Sequence, residues 1–335
     1  MGELLRFPVP EEEKSRLEAS FEDFILTLRG MRRSPNTLDG YRWQLLPFIR
    51  WVEETEGPVA AWDSLDRISR RDYMARLASE PGPRGKILED TSLLAWHKAF
   101  SSWANWSYRN GYPVDPHLLV QPKPRVERPD PTLYDINQIN RILAACKEPH
   151  EYITIRTELS AMLRISEVCG LSNRAPEDGV SDLHGSISHG HASLRVRQKG
   201  GAKGRKTRSA RISQETERRL ARYVARDRPR AGDHNLILRP NGEAFDRYSM
   251  SRLVYRTLSR RLRFRIHSHG MRATGATIAT KLGWNYEQLR HQMGHVAYDE
   301  LYTYTRLSET RDLGPLDAWE EFVLDINNKL QRRVS

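Results

Sequence analysis

Cysteine is nearly absent: Cys146 and Cys169 are the only two in 335 residues. Each lies inside an apolar segment and neither stands in a paired ligand spacing, which argues against a disulfide framework or a cysteine-held metal. Also missing is any apolar run approaching the roughly 20 residues that a membrane-spanning helix needs. The opening Met1-Gly2-Glu3-Leu4-Leu5-Arg6 lacks the order of a secretory signal, and there is neither an internal repeat nor a low-complexity tract. The expectation is a soluble, cytoplasmic protein with reduced thiols and no membrane partner. Acidic residues are the scarcer charge, 43 Asp and Glu against 54 Lys and Arg, for a net charge of +11. The excess is spread over both halves of the chain. Such a surface suits a polyanion such as duplex DNA, which binds cation-rich faces through counterion release, although RNA and anionic membranes attract basic proteins too.

The length accommodates about two domains. Residues 15–29 place Leu17, Phe21, Phe24, Ile25 and Leu28 on one helical face, and Thr37 opens a second helix carrying Leu38, Tyr41, Leu45, Phe48 and Val52. A short helix from Arg70 to Leu77 follows. Beyond Pro81-Gly82-Pro83, Leu93, Trp96, Phe100, Trp103 and Trp106 recur at helical spacing until Asn110-Gly111 stops them. These elements predict a small all-helical domain over 13–119. The proline-rich, charged stretch 120–132 has no periodicity and predicts an extended linker.

From Thr132 to about Leu171 the pattern is again helical. It then changes to short alternating segments at Ser193–Arg197 and Ser209–Ile212, predicted strands of a small antiparallel sheet joined by the basic turn Lys199 to Lys206. Helices resume from Ser213. After Gly314-Pro315, the stripe Leu316, Trp319, Val323, Ile326 and Leu330 predicts an amphipathic terminal helix within 313–335. Such a helix packs either on its own domain or on a neighbouring protomer.

Six separated residues, Arg164, Lys199, His269, Arg272, His295 and Tyr304, supply what is needed to break and rejoin a phosphodiester without metal or nucleotide. Two fixed guanidiniums can hold the charge of a pentacoordinate phosphate while a phenol attacks it. Arg164 falls in a helical stretch whose Ile165, Val168 and Leu171 face the core, so its guanidinium emerges from a buried setting; Glu167, three residues on, can partner it. Taken alone, Arg-x-x-Glu is most often an ordinary helix ion pair. His269 and Arg272 stand three apart and project from one helical face, a pairing common by chance, and His267 with His269 lacks the carboxylate or cysteine a zinc site would add. Lys199 lies at the tip of the strand pair, where Lys203 and Lys206 compete with it and a solvated basic hairpin is the bland alternative. Tyr304 follows His295 by nine residues; a helix turns its competitor Tyr302 away from it.

Taken together, Leu163-Arg164-Ile165-Ser166-Glu167, Lys199-Gly200, His267-Ser268-His269-Gly270-Met271-Arg272, Met293-Gly294-His295 and Leu301-Tyr302-Thr303-Tyr304-Thr305-Arg306 resemble the tyrosine recombinase (phage integrase) family over about residues 15–330. Three strings depart from the family's pattern. Ala161-Met162 replace the usual Thr-Gly before the first arginine, Ala273-Thr274-Gly275 follow the second, and Glu300-Leu301 replace a threonine pair before the tyrosine.

The resemblance implies a mainly α protein: a helical, SAM-like core-binding domain, then a mixed α+β catalytic domain over 133–312 with a small antiparallel sheet. It implies Tyr304 as nucleophile, Arg164, Arg272 and His295 as phosphate donors, Lys199 as general acid ahead of Lys203, His269 as proton acceptor or orienting group, Glu167 behind Arg164, and no cofactor or metal. The implied partners are double-stranded DNA with paired inverted half-sites and three further copies of the chain in a tetramer. Because the core-binding pattern begins almost at once, a simple two-domain recombinase of the Xer, plasmid or transposon type is expected ahead of a phage or integrative-element integrase. A type IB topoisomerase and a catalytically inactive DNA-binding protein are the remoter alternatives.

Overall fold

The computed structural model describes residues 17–56, 61–65, 67–81, 87–120, 122–124, 126, 129–185, 192–197, 207–230, 233–294 and 298–323. The chain divides into two compact units, Met1–Pro129 and Asp130–Ser335. The first is helical: α1 (Leu17–Gly30), α2 (Pro35–Glu56), α3 (Arg67–Ser79), α4 (Asp90–Arg109) and the single turn α5 (Pro116–Leu119). The 3.6-residue spacing of Leu17, Phe21, Phe24, Ile25 and Leu28 buries one face of α1. That face meets α4, where Phe21 packs edge-on against Trp103 at 5.6 Å between ring centres. Phe48 of α2 meets Tyr73, Trp96 and Phe100 within the same aromatic core.

The second unit opens with α6 (Ile136–Ala144), whose Asp135 and Gln138 form a reciprocal capping box. It continues through α7 (Pro149–Ala161) and α8 (Ile165–Cys169) to a sheet. Strand order is β1 (Leu183–His184), β2 (Ser193–Arg197), β3 (Thr207–Arg211), all antiparallel, in the register Leu183↔Leu194 and Arg197↔Thr207. β1, a two-residue edge too short to show alternation, was not expected from the sequence. Then come α9 (Gln214–Arg222), α10 (Arg247–Met250), α11 (Thr257–Leu262), α12 (Ser268–Lys281), α13 (Tyr286–Met293) and α14 (Tyr298–Thr310).

α12 runs through the middle of this unit, buried from Gly270 to Ala279 and packed by α7 and α14. Its small residues permit the close approach. A Cβ on Gly270 would stand 2.7 Å from the Tyr134 ring, and one on Gly275 would stand 2.3 Å from the Leu159 carbonyl oxygen. Tyr134 also fastens the start of the helix, accepting from His267 N at 3.1 Å and donating to Arg265 O at 3.3 Å.

Two expectations are corrected. Arg164 is not inside a helix but caps one: its backbone is extended (φ −76°, ψ 148°) at the N-cap of α8, because α7 ends at Met162 in the left-handed region (φ 53°) and the chain turns there. Its side chain is accordingly 45% exposed rather than emerging from a buried setting. Nor is the terminal segment α-helical over its described residues, 313–323. Leu316–Trp319 forms a 3₁₀ turn, Leu316 is exposed, and Trp319, Phe322 and Val323 are buried in the core of their own unit. The Glu321 carbonyl, held by Arg156 Nη2 at 2.8 Å and Ser213 Oγ at 2.5 Å, pins this segment in cis. Ile326 and Leu330 lie outside the described residues.

Candidate active site

Glu167 is the hub of the second unit's polar centre. Its side chain is 6% exposed, and as the third residue of α8 it reaches back to accept from Arg164 N at 2.8 Å, the reciprocal half of a helix cap. Three guanidiniums surround its carboxylate. Arg208 donates Nη1 to Oε1 at 3.0 Å and Nη2 to Oε2 at 3.1 Å, a fork-on-fork pair. Arg164 Nη1 lies 3.4 Å from Oε1 and Arg272 Nη1 lies 3.7 Å from Oε2. Backbone carbonyls take the other side: Arg272 donates to Met162 O at 2.5 Å and Met293 O at 3.0 Å, and Arg164 to Met293 O at 3.3 Å and Gly294 O at 3.5 Å.

Arg164 and Arg272, distant in sequence, therefore meet at one carboxylate. Burial, reinforced by the Arg164 charge, lowers the Arg272 guanidinium to about 10, against the opposing pull of Glu167 and Tyr304. It stays cationic at neutral pH. Tyr304 lies on α14, which packs on the α12 that carries Arg272, and it is 4% exposed whereas Tyr302 is 61% exposed. His269 is exposed on the first turn of α12, one turn before Arg272. His267 caps that helix, its Nδ1 accepting from Gly270 N at 3.0 Å; burial, then Arg265 and His269, depress its pKa and favour this neutral form. Lys199, Lys203 and His295 lie outside the described residues.

Two residues of this centre escaped the sequence reading. Arg208 lies in β3, whose alternation turns it and Ala210 inward. Gln292 of α13 is buried and acts as a strand substitute along β3: it accepts from Arg211 N at 2.9 Å and donates to Arg211 O at 2.7 Å. Beneath α12, Glu158 is fully buried and its carboxyl is pushed up to about 8 by burial, with Glu167 adding to the rise and Ser268 and Arg272 opposing it. Beside His269 opens a cavity of about 970 Å³ lined by Arg247, Arg256, Arg260, Arg263 and Arg265 among others. A cleft so cationic concentrates polyanions.

The sequence pattern of the phage integrase family matches residues 133–311. A tyrosine recombinase XerC of Chromohalobacter salexigens is 26% identical over 295 residues, covering 87% of this chain and 92% of that protein. A tyrosine recombinase of Thermosipho africanus is 21% identical over 300 residues, covering 86% and 94%. Among solved structures, a lambda integrase dimer bound to a COC' core site is 13% identical and superimposes with a TM-score of 0.66 over 89% of this chain and 98% of that one. The Tn1549 transposon integrase in complex with transposon right end DNA is 15% identical, with a TM-score of 0.62 over 94% and 99%. These two speak for the fold.

Proposed function

The chain belongs to the phage integrase family, and from that premise we propose the division of labour by which it cuts and rejoins DNA. It is a site-specific tyrosine recombinase. Tyr304 attacks a backbone phosphorus in line: the bond from phenol oxygen to phosphorus forms, the bond to the 5'-oxygen breaks, and a 3'-phosphotyrosyl link remains. Arg164, Arg272 and His295 donate to the nonbridging oxygens, whose charge is greatest in the transition state. His269 accepts the phenol proton, and Lys199, with Lys203 as its competitor, gives one to the departing 5'-oxygen. One phosphoester replaces another of similar energy, so no nucleotide is consumed. Attack by a 5'-hydroxyl from a second strand reverses the step and completes the exchange.

The observation that carries this reading is the convergence of Arg164 and Arg272 on the Glu167 carboxylate and the Met293 carbonyl, with a buried Tyr304 on α14, the helix packed against α12. We take the enzyme to be of the simple Xer, plasmid or transposon type, four copies acting on two sites built of inverted half-sites; the match along more than nine-tenths of both bacterial relatives supports that choice. Tyr304→Phe tests the nucleophile. It should abolish the covalent adduct seen on a denaturing gel while leaving DNA binding nearly unchanged, and Tyr302→Phe should do neither. An adduct that persists in Tyr304→Phe and vanishes in Tyr302→Phe transfers the role.

A further inference from the structure

Arg208 stands outside that chemistry, yet each of its three guanidinium nitrogens donates: Nη1 and Nη2 to Glu167, and Nε to Gln292 O at 3.0 Å. Its side chain is 4% exposed. We propose that Arg208 is a positioning residue for DNA cleavage: by occupying both oxygens of Glu167, it keeps the Arg164 and Arg272 guanidiniums available to the scissile phosphate. The proposal rests on the assignment of those two arginines as phosphate donors.

The distances carry the argument. A carboxylate accepts in about four lone-pair directions. Oε2 already takes Arg164 N at 2.8 Å and Arg208 Nη2 at 3.1 Å, and Oε1 takes Arg208 Nη1 at 3.0 Å. What remains for the other two guanidiniums is weak: 3.4 Å for Arg164 and 3.7 Å for Arg272, beyond the roughly 2.7–2.9 Å of a full charge-assisted bond. Removing Arg208 vacates two positions on an anion that water scarcely reaches, where attraction is strong. Glu167 would then close on its two nearest cations, and the incoming phosphate would have to compete with it. Arg208 Nε also ties β3 to Gln292, the residue before Met293, so one side chain joins the strand, the first arginine's helix and the segment whose Met293 carbonyl both phosphate arginines use.

The test measures single-turnover adduct formation on a nicked duplex whose site is recovered by binding selection from random-sequence DNA. Arg208→Met should still bind that duplex but form adduct about a hundredfold more slowly, the scale of a roughly 1 Å misplacement. Adding Glu167→Gln removes the competing anion, so the double variant should regain at least about tenfold over Arg208→Met. Arg208→Lys keeps the charge without the fork and should fall between parent and Met variant. If Arg208→Met fails to fold, the same comparison with and without Glu167→Gln is made on Arg208→Lys. A double variant no faster than its single parent, or an Arg208→Met as fast as the native chain, overturns the proposal. A native chain that forms no adduct defeats the catalytic assignment beneath it.

Discussion

Gly275→Ala is the smallest change expected to separate the two arginines proposed to hold the phosphate. At the crossing of α12 and α7, the added Cβ would fall 2.3 Å from Leu159 O and 3.1 Å from Met162 Cγ. Because the nearer atom belongs to the backbone, no rotamer change relieves it, and α12 has to retreat by about 1 Å. Alanine gains about 1 kcal/mol over glycine within a helix. Overpacking against the opposing helix costs about 1–3 kcal/mol, and strain on the bond from Arg272 to Met162 O costs about 1–3 kcal/mol more. The net loss is about 3 kcal/mol, which for a unit of this size lowers the melting temperature by about 6–12 °C. Arg272 lies one turn before Gly275 on the same helix, so cleavage should slow by about a hundredfold even well below the melting point. Thermal melts and single-turnover adduct formation measure the two effects. An alanine variant that melts at or above the parent and cleaves at the parental rate refutes the argument.

Lys199→Ala should fail on ordinary DNA and recover when the bridging 5'-oxygen is replaced by sulfur, a leaving group that needs no acid; recovery in Lys203→Ala instead assigns the proton to that residue. Truncation after Gly314 deletes Trp319, Phe322 and Val323 from the core and leaves Arg156 without the Glu321 carboxylate it meets at 3.0 Å. Since each large residue lost costs about 3–5 kcal/mol, that variant should melt far below the parent. Truncation after Val323 should keep the native melt and lose cooperative filling of a full site; retained cooperativity would rule out a protomer-joining role for 324–335. Glu158 has its folded pKa raised from 4.5 to about 8, so its neutral form favours folding below 4.5 and that contribution fades as pH rises through about 8. Glu158→Gln, which mimics the neutral acid, should gain stability over the parent across that interval, and a constant offset in melting temperature would contradict the buried-acid assignment.

The long helices of the first unit were legible because their driving force is local: one apolar stripe per helix, with Asn110-Gly111 ending α4, where Gly111 adopts φ 84°. β2 was legible for the same reason. The first arginine was legible as a residue but not as a geometry. Its position depends on Met162, which adopts φ 53° at the place where the family usually has glycine; composition alone does not reveal a non-glycine residue held left-handed by burial around it. The terminal stripe misled because period 3.6 fits a helix equally well whether or not a carbonyl within it is captured, and the capture at Glu321 comes from Arg156 and Ser213, 165 and 108 residues away.

Arg208 shows where the missing information lay. Reading β3 from Ser209 left Arg208 unassigned between the basic turn and the strand. Beginning the strand at Thr207, as the register Arg197↔Thr207 does, makes Arg208 an inward residue by period-two alternation alone. An arginine on a core-facing strand position requires a buried acceptor, and Glu167, 41 residues earlier, is already read from the sequence as a carboxylate partner for Arg164. Two residues of strand boundary thus separate a solvated hairpin from a salt bridge at the heart of the site. Inward-pointing charges at strand ends accordingly merit pairing with unexplained acidic residues before they are assigned to a turn, because the desolvation that makes such a charge improbable is also what makes its partner identifiable.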